Sequence, residues 1–95
     1  MMTIGILYLH LLLESCKSLK EKRSQLKPFL HRIHKEFNVS VSEMDLQDKW
    51  TESIVAISQI CNDQKITQSE LNAVILFTQN YFRNIEILDN HIELL

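Results

Sequence analysis

Glycine and proline are nearly absent from this chain: Gly5 and Pro28 are its only examples in 95 residues. Loops that cradle phosphate need several glycines, so that backbone amides can approach the anion closely, and a lone Gly5 inside an apolar run cannot supply one. Proline- and glycine-rich linkers, low-complexity tracts and internal repeats are missing as well, and the connections must be short and polar. Cysteine is scarce. Cys16 and Cys61 stand alone without CxxC spacing, which favours a reducing compartment over a disulfide framework. No apolar run is long enough to span a bilayer: the longest, Ile4 to Leu13, is interrupted by Gly5 and His10. It also lacks the basic start and small-residue cleavage site of a signal peptide, so the expected location is the cytoplasm, away from membranes.

What is present is enough for one domain over residues 1–95 and no second core. Residues 2–13 are apolar in both alternation phases: Ile4, Ile6, Tyr8 and Leu12 in one, Leu7, Leu9, Leu11 and Leu13 in the other. A strand apolar on both faces belongs in the middle of a sheet. Ser18-Leu19-Lys20-Glu21 reads as a capping box, and Leu19, Leu26, Leu30, Ile33 and Phe37 follow as the stripe of an amphipathic helix. Pro28 falls opposite that stripe, where water can satisfy the carbonyl it frees; a bend is expected rather than a break. Residues 39–45 alternate as a half-buried edge strand, 46–49 form a polar turn, and 50–61 hold a second strand that is apolar on both faces. Thr67-Gln68-Ser69-Glu70 reads as a second capping box, followed by Leu71, Val74, Ile75, Thr78 and Phe82 at helical spacing. Residues 85–95 close the chain as a strand with Leu88, Ile92 and Leu94 in one phase.

The order is βαββαβ. Right-handed crossovers place the first and third strands centrally. Those are the two strands apolar on both faces, so pattern and topology agree. The expected fold is an α+β, ferredoxin-like sandwich with an antiparallel sheet in the order 4-1-3-2 and both helices on one face. The other face keeps an apolar centre flanked by Asp89, His91 and Glu93, and a monomer seldom leaves such a centre wet. A homo-oligomer, most simply a dimer, is therefore expected to bury it, with Ile54 and Ile60 named as its outward residues.

Charge is unevenly distributed. From Lys17 to Lys35 seven basic residues face the single carboxylate of Glu21, a net of +6, whereas the remainder holds three basic and eleven acidic residues. On a helical wheel at about 100° per residue, Lys20, Arg23, Lys27, His31, His34 and Lys35 share one flank. Two readings stand: a stripe that tracks nucleic-acid phosphates, or a solvated helix face. A second constellation, Glu43, Asp45 and Asp48 with Trp50 beside them, is expected at the same end of the sheet as Ser18 to Arg23. It is either a partner-docking end or an ion-pair cluster that holds the turn.

Catalysis and metal binding are weakly signalled. His31 and His34 lie three apart without a carboxylate or thiol to complete a ligand set, and they sit in a basic field. Cys61 reads as a core thiol. Cys16, before a helix N-terminus, is placed for a lowered pKa, but no general base accompanies it. The segment Glu14-Ser15-Cys16-Lys17 lacks the glycine and arginine of the acylphosphatase anion loop. No enzyme activity, cofactor or metal is expected.

The combination of Ser18-Leu19-Lys20-Glu21-Lys22-Arg23 with Phe37-Asn38-Val39-Ser40-Val41-Ser42-Glu43-Met44-Asp45 and Gln47-Asp48-Lys49-Trp50 resembles the small bacterial YlxP-like proteins. These are of similar length, so the resemblance spans essentially the whole chain; Pro28 and Cys16 are its departures. It implies a ferredoxin-like fold. It also implies a role near the ribosome, because the family's genes often lie among those for translation initiation and ribosome maturation. The resulting expectation is a non-enzymatic module whose partner is ribosomal RNA or a ribosomal particle.

Overall fold

A computed structural model describes all residues, 1–95. The elements are β1 (Thr3–Leu12), α1 (Leu19–Glu36), β2 (Ser40–Asp45), β3 (Glu52–Cys61), α2 (Gln64–Tyr81) and β4 (Glu86–Leu94). The four strands form one sheet in the order β2-β3-β1-β4, with every neighbouring pair antiparallel. Read from the other edge this is 4-1-3-2, and the fold is the ferredoxin-like α+β sandwich.

Strand alternation divides the sheet into two faces. Leu7, Leu9 and Leu11 of β1 and Val55 and Ile57 of β3 are fully buried and meet Leu26, Phe29 and Ile33 of α1 and Leu71 and Val74 of α2 in one core. Gly5 shares their phase for a steric reason: a Cβ there would lie 2.3 Å from Thr67 Cγ2 and 2.9 Å from Leu71 Cδ1. The α2 helix crosses the sheet so closely at this point that only a glycine fits beneath it.

Three local expectations are corrected. The second helix is not capped at Thr67. Asp63 is the N-cap, its Oδ1 accepting from the amides of Lys65 and Ile66 at 2.8 and 3.4 Å, and Thr67 is buried inside the helix. In β4 a register shift opposite His10 and Leu11 carries Leu88 out of phase; it is exposed, and Ile87 joins Ile92 against the core. In α1 the fully packed stripe is Lys22, Leu26, Phe29 and Ile33, while Leu30 and Phe37 only border it. Pro28 is exposed and the helix runs on through it.

The first capping box forms with one displacement. Ser18 Oγ accepts from the Glu21 amide at 3.1 Å, but the Glu21 carboxylate reaches the amide of Lys17 rather than that of Ser18. No helix is long and apolar enough to cross a membrane.

Candidate nucleic-acid interface

The solvent side of α1 follows from the position of its packed side. Lys22, Leu26, Phe29 and Ile33 point at the sheet, so residues about half a turn away point to water. Lys20, Arg23, Lys27, His31 and Lys35 are all exposed there. None of the four Lys and Arg side chains has a carboxylate within 4 Å; the ion pairs of the chain lie elsewhere. From Lys20 to Lys35 the helix rises by about 22 Å, so the cations form an extended row. His34 lies on the same flank but is engaged, its Nδ1 lying 2.8 Å from the carbonyl of Val39. Arg32 has turned away from the row: it pairs with Glu36 at 2.9 Å, and its guanidinium lies 5.5 Å from the centre of the Phe77 ring.

The turn between β2 and β3 meets the first turns of α1, as the topology requires, and the contact runs through Lys22, which lies off the basic flank on the packed side of the helix. Lys22 is only 2% exposed. Its Nζ lies 2.9 Å from Glu43 Oε2 and donates to the carbonyl of Leu46 at 2.7 Å. Ser53 Oγ donates to the same Glu43 oxygen at 2.7 Å. Leu46 has φ 62°, in the left-handed region that costs a branched side chain conformational energy, and the buried ammonium holds its carbonyl in place. Asp45 is spent locally, accepting from the Leu46 amide at 2.7 Å. Asp48 is exposed and forms no ion pair with Arg23. Trp50 is 53% exposed, on the short segment between this turn and β3. A signal for Lys22 existed: Leu19, Lys22, Leu26, Phe29 and Ile33 recur at strict three- and four-residue spacing, with a lysine in an otherwise apolar stripe.

The open face of the sheet carries Ile4, Ile6, Tyr8 and His10 from β1 and Ile54, Ala56, Ser58 and Ile60 from β3. Ile54 is half-buried and Ile60 is 62% exposed, both on the side away from the helices. On its rim His10 Nε2 lies 2.7 Å from Glu52 Oε1. The hydrogen bond from His10, with the charge of Lys49 behind it, lowers the Glu52 pKa.

Both cysteines depart from expectation. Cys16 is buried, and its thiol pKa is raised by desolvation, with the Glu21 carboxylate adding to the effect and Lys22 opposing it. Such a thiol is a poor nucleophile at neutral pH. Cys61 is half-exposed at the end of β3, outside the core.

The family model described as "Protein of unknown function (DUF503)" matches residues 4–92. Within that span lie the basic row, the Lys22 pin and the open face. The chain belongs to this family. YlxP of Bacillus subtilis (strain 168), described as an uncharacterized protein, is 35% identical over 78 residues, covering 82% of this chain and 85% of its own. The resemblance noted from the sequence motifs is thereby established as YlxP-like kinship. Among solved structures, the de novo designed protein Foldit4 superposes with a TM-score of 0.55 over 98% of this chain and 96% of its own, at 13% identity. At that identity the likeness speaks to the fold alone.

Proposed function

We propose that this YlxP-like chain is a non-enzymatic RNA-binding module that associates with ribosomal RNA or a ribosomal particle. The observation that carries the reading is the row of Lys20, Arg23, Lys27 and Lys35: exposed, on one flank of a rigid helix, and free of carboxylate partners. A solvated helix face in a chain with more acidic than basic residues would be expected to recruit some of those carboxylates as i, i+4 partners. Unneutralised cations in a row are what counterion release on a phosphate backbone requires. The chain's overall charge of −2 does not oppose this, because the acidic residues fall outside residues 22–35.

The test is RNA affinity measured against salt for the wild type and for a Lys20→Gln, Lys27→Gln, Lys35→Gln variant. Three lost phosphate contacts should lower the salt slope by about 3, at roughly one per contact. Affinity should fall equally for unrelated sequences, since phosphates carry no base information. An unchanged affinity removes helix α1 from the reading. Co-sedimentation of the wild type with ribosomal particles, dispersed by high salt, tests the ribosomal part.

A second reading is favoured by the apolar centre of the open face: a homo-oligomeric interaction protein that buries Ile54 and Ile60 against another copy, with the basic row merely solvated.

A further inference from the structure

β4 is an edge strand, and its pairing shows which backbone groups point off the sheet. The amide and carbonyl of Leu95 both bond to Ile4, next to β1, at 2.8 and 3.3 Å. Antiparallel ladders alternate, so Glu93, His91 and Asp89 also turn to β1, while Leu94, Ile92 and Asn90 turn their N–H and C=O groups outward. The Asn90 amide illustrates this: its acceptor is Asp89 Oδ1 at 2.9 Å. Free edges are commonly blunted by proline, lysine or a bulge. β4 has neither residue, and its one register shift skips Leu88 and leaves residues 89–95 regular.

We propose that this edge pairs antiparallel with the β4 edge of a second copy, about a two-fold axis at Ile92, joining the two sheets into one. The contact is isologous and closes at two copies. Hydrogen-bonded pairs must be drawn from the outward residues, which leaves the axis at residue 90, 91, 92 or 93. Charge and regularity decide among these. At His91 the axis sets Asp89 opposite Glu93 of the other copy, and at Glu93 it sets Glu93 opposite itself, like charges in both cases. At Asn90 the ladder meets the unpaired Leu88 two residues from the axis. At Ile92 the ladder uses the whole regular segment, and each His91 lies opposite Glu93 of the other copy. Neither residue has an ion-pair partner in its own chain, and an imidazole N–H can donate to the carboxylate whether or not the ring is protonated. The same register puts Asn90 of one copy opposite Leu94 of the other on the helix side. Beside Leu94 lies a hollow of about 700 Å³ bordered by Gln68, Ser69, Asn72 and Leu76 of α2, with Lys65 as its single charged residue. An amide side chain suits that lining, and depletion of charge marks interface cores. The pairing uses neither the basic row nor the centre of the open face and is independent of the RNA reading.

The test uses the full chain. Light scattering of the wild type at micromolar concentration should give twice the 11.2 kDa chain mass. His91→Glu sets carboxylates opposite each other and should shift the mass to monomer with the circular dichroism spectrum unchanged. Adding Glu93→Lys to that variant restores opposite charges and should restore the dimer. In a Cys61→Ser background, where only buried Cys16 remains, His91→Cys with Glu93→Cys should oxidise to a covalent dimer, because opposed residues of a non-hydrogen-bonded pair lie about 4.5 Å apart. His91→Cys alone should stay uncrosslinked, its two copies being about 7–8 Å apart on the diagonal. A wild-type monomer overturns the self-pairing and leaves the edge to a strand of another protein. A dimer unmoved by His91→Glu and uncrosslinked by the cysteine pair also overturns it and returns the contact to the open face. Crosslinking through His91→Cys alone overturns the axis at Ile92.

Discussion

At the scale of single residues, His10 and Glu52 are the clearest case of chemistry hidden from the linear sequence. His10 reads as an interruption in an apolar strand, and its partner lies 42 positions away, two strands later. Pairing at 2.7 Å holds the Glu52 carboxyl below the usual glutamate range, chiefly through the hydrogen bond and then through Lys49. A depressed carboxyl pKa means that folding favours the ionised form. The resulting stability is present above the unfolded pKa and is lost as pH falls through the folded one. Wild type and Glu52→Gln, compared by urea midpoint from about pH 7 down to about pH 3, should therefore differ most at the neutral end and converge in acid. A difference that persists unchanged through the acid range would show that the pair contributes nothing as a charge. The basic row is the opposite case. It was legible residue by residue, because exposure on a helix follows directly from distance around the wheel, whereas its freedom from carboxylate partners required the fold.

At the scale of elements, helix boundaries show where local pattern misleads. Thr67 to Glu70 has the spelling of a capping box, yet the helix starts four residues earlier because Asp63 supplies the acceptor first. Once Asp63 caps, Thr67 is carried onto the buried face above Gly5, where its hydroxyl has no hydrogen-bond partner. The two sites therefore respond in opposite ways. Asp63→Ala should cost about 1 kcal/mol, the usual loss for an N-cap. Thr67→Val keeps the shape and removes an unsatisfied hydroxyl, so it should be neutral or stabilising by up to about 1 kcal/mol. Urea denaturation of both variants decides, and a destabilised Thr67→Val beside an unaffected Asp63→Ala would restore the downstream cap. The phase of β4 misled for a related reason: a shift in pairing opposite His10 and Leu11 exchanges Leu88 for Ile87, and a bulge is a property of two strands that neither spells alone.

On the scale of the whole molecule, Lys22 ties one helix to the far end of the sheet. Its ammonium joins Glu43, the Leu46 carbonyl and, through Glu43, Ser53. Breaking a buried ion pair from one side typically costs about 3–5 kcal/mol. Because the Glu43 side chain keeps 19% of its surface exposed, Lys22→Met should fall at or just below that range, about 2–3 kcal/mol by urea denaturation. Glu43→Gln, which retains an acceptor for Lys22, should cost less. Equal stability of Lys22→Met and wild type would mean that the turn is held without the pin. The pin also bears on the proposed RNA contact: it sets the turn before Trp50 against the start of the basic row. Meanwhile the row lies on the outer helical layer and the open sheet face on the opposite side, so the proposed RNA binding and a pairing of open faces would not compete for surface.

The linear sequence by itself determined the element order, the central positions of the first and third strands, the sidedness of helix α1 and the family motifs. Each depends on periodicity or spacing within a short segment, and short segments carry that information in full. Which face of the sheet received the helices was left to the tertiary structure, because β1 and β3 are apolar in both phases and alternation alone is symmetric. The close crossing of α2 broke the symmetry. A helix can come that near only where there is no Cβ, so the phase containing Gly5 faced inward, and Leu7, Leu9 and Leu11 followed it into the core while Ile4, Ile6 and Tyr8 were left on the open side.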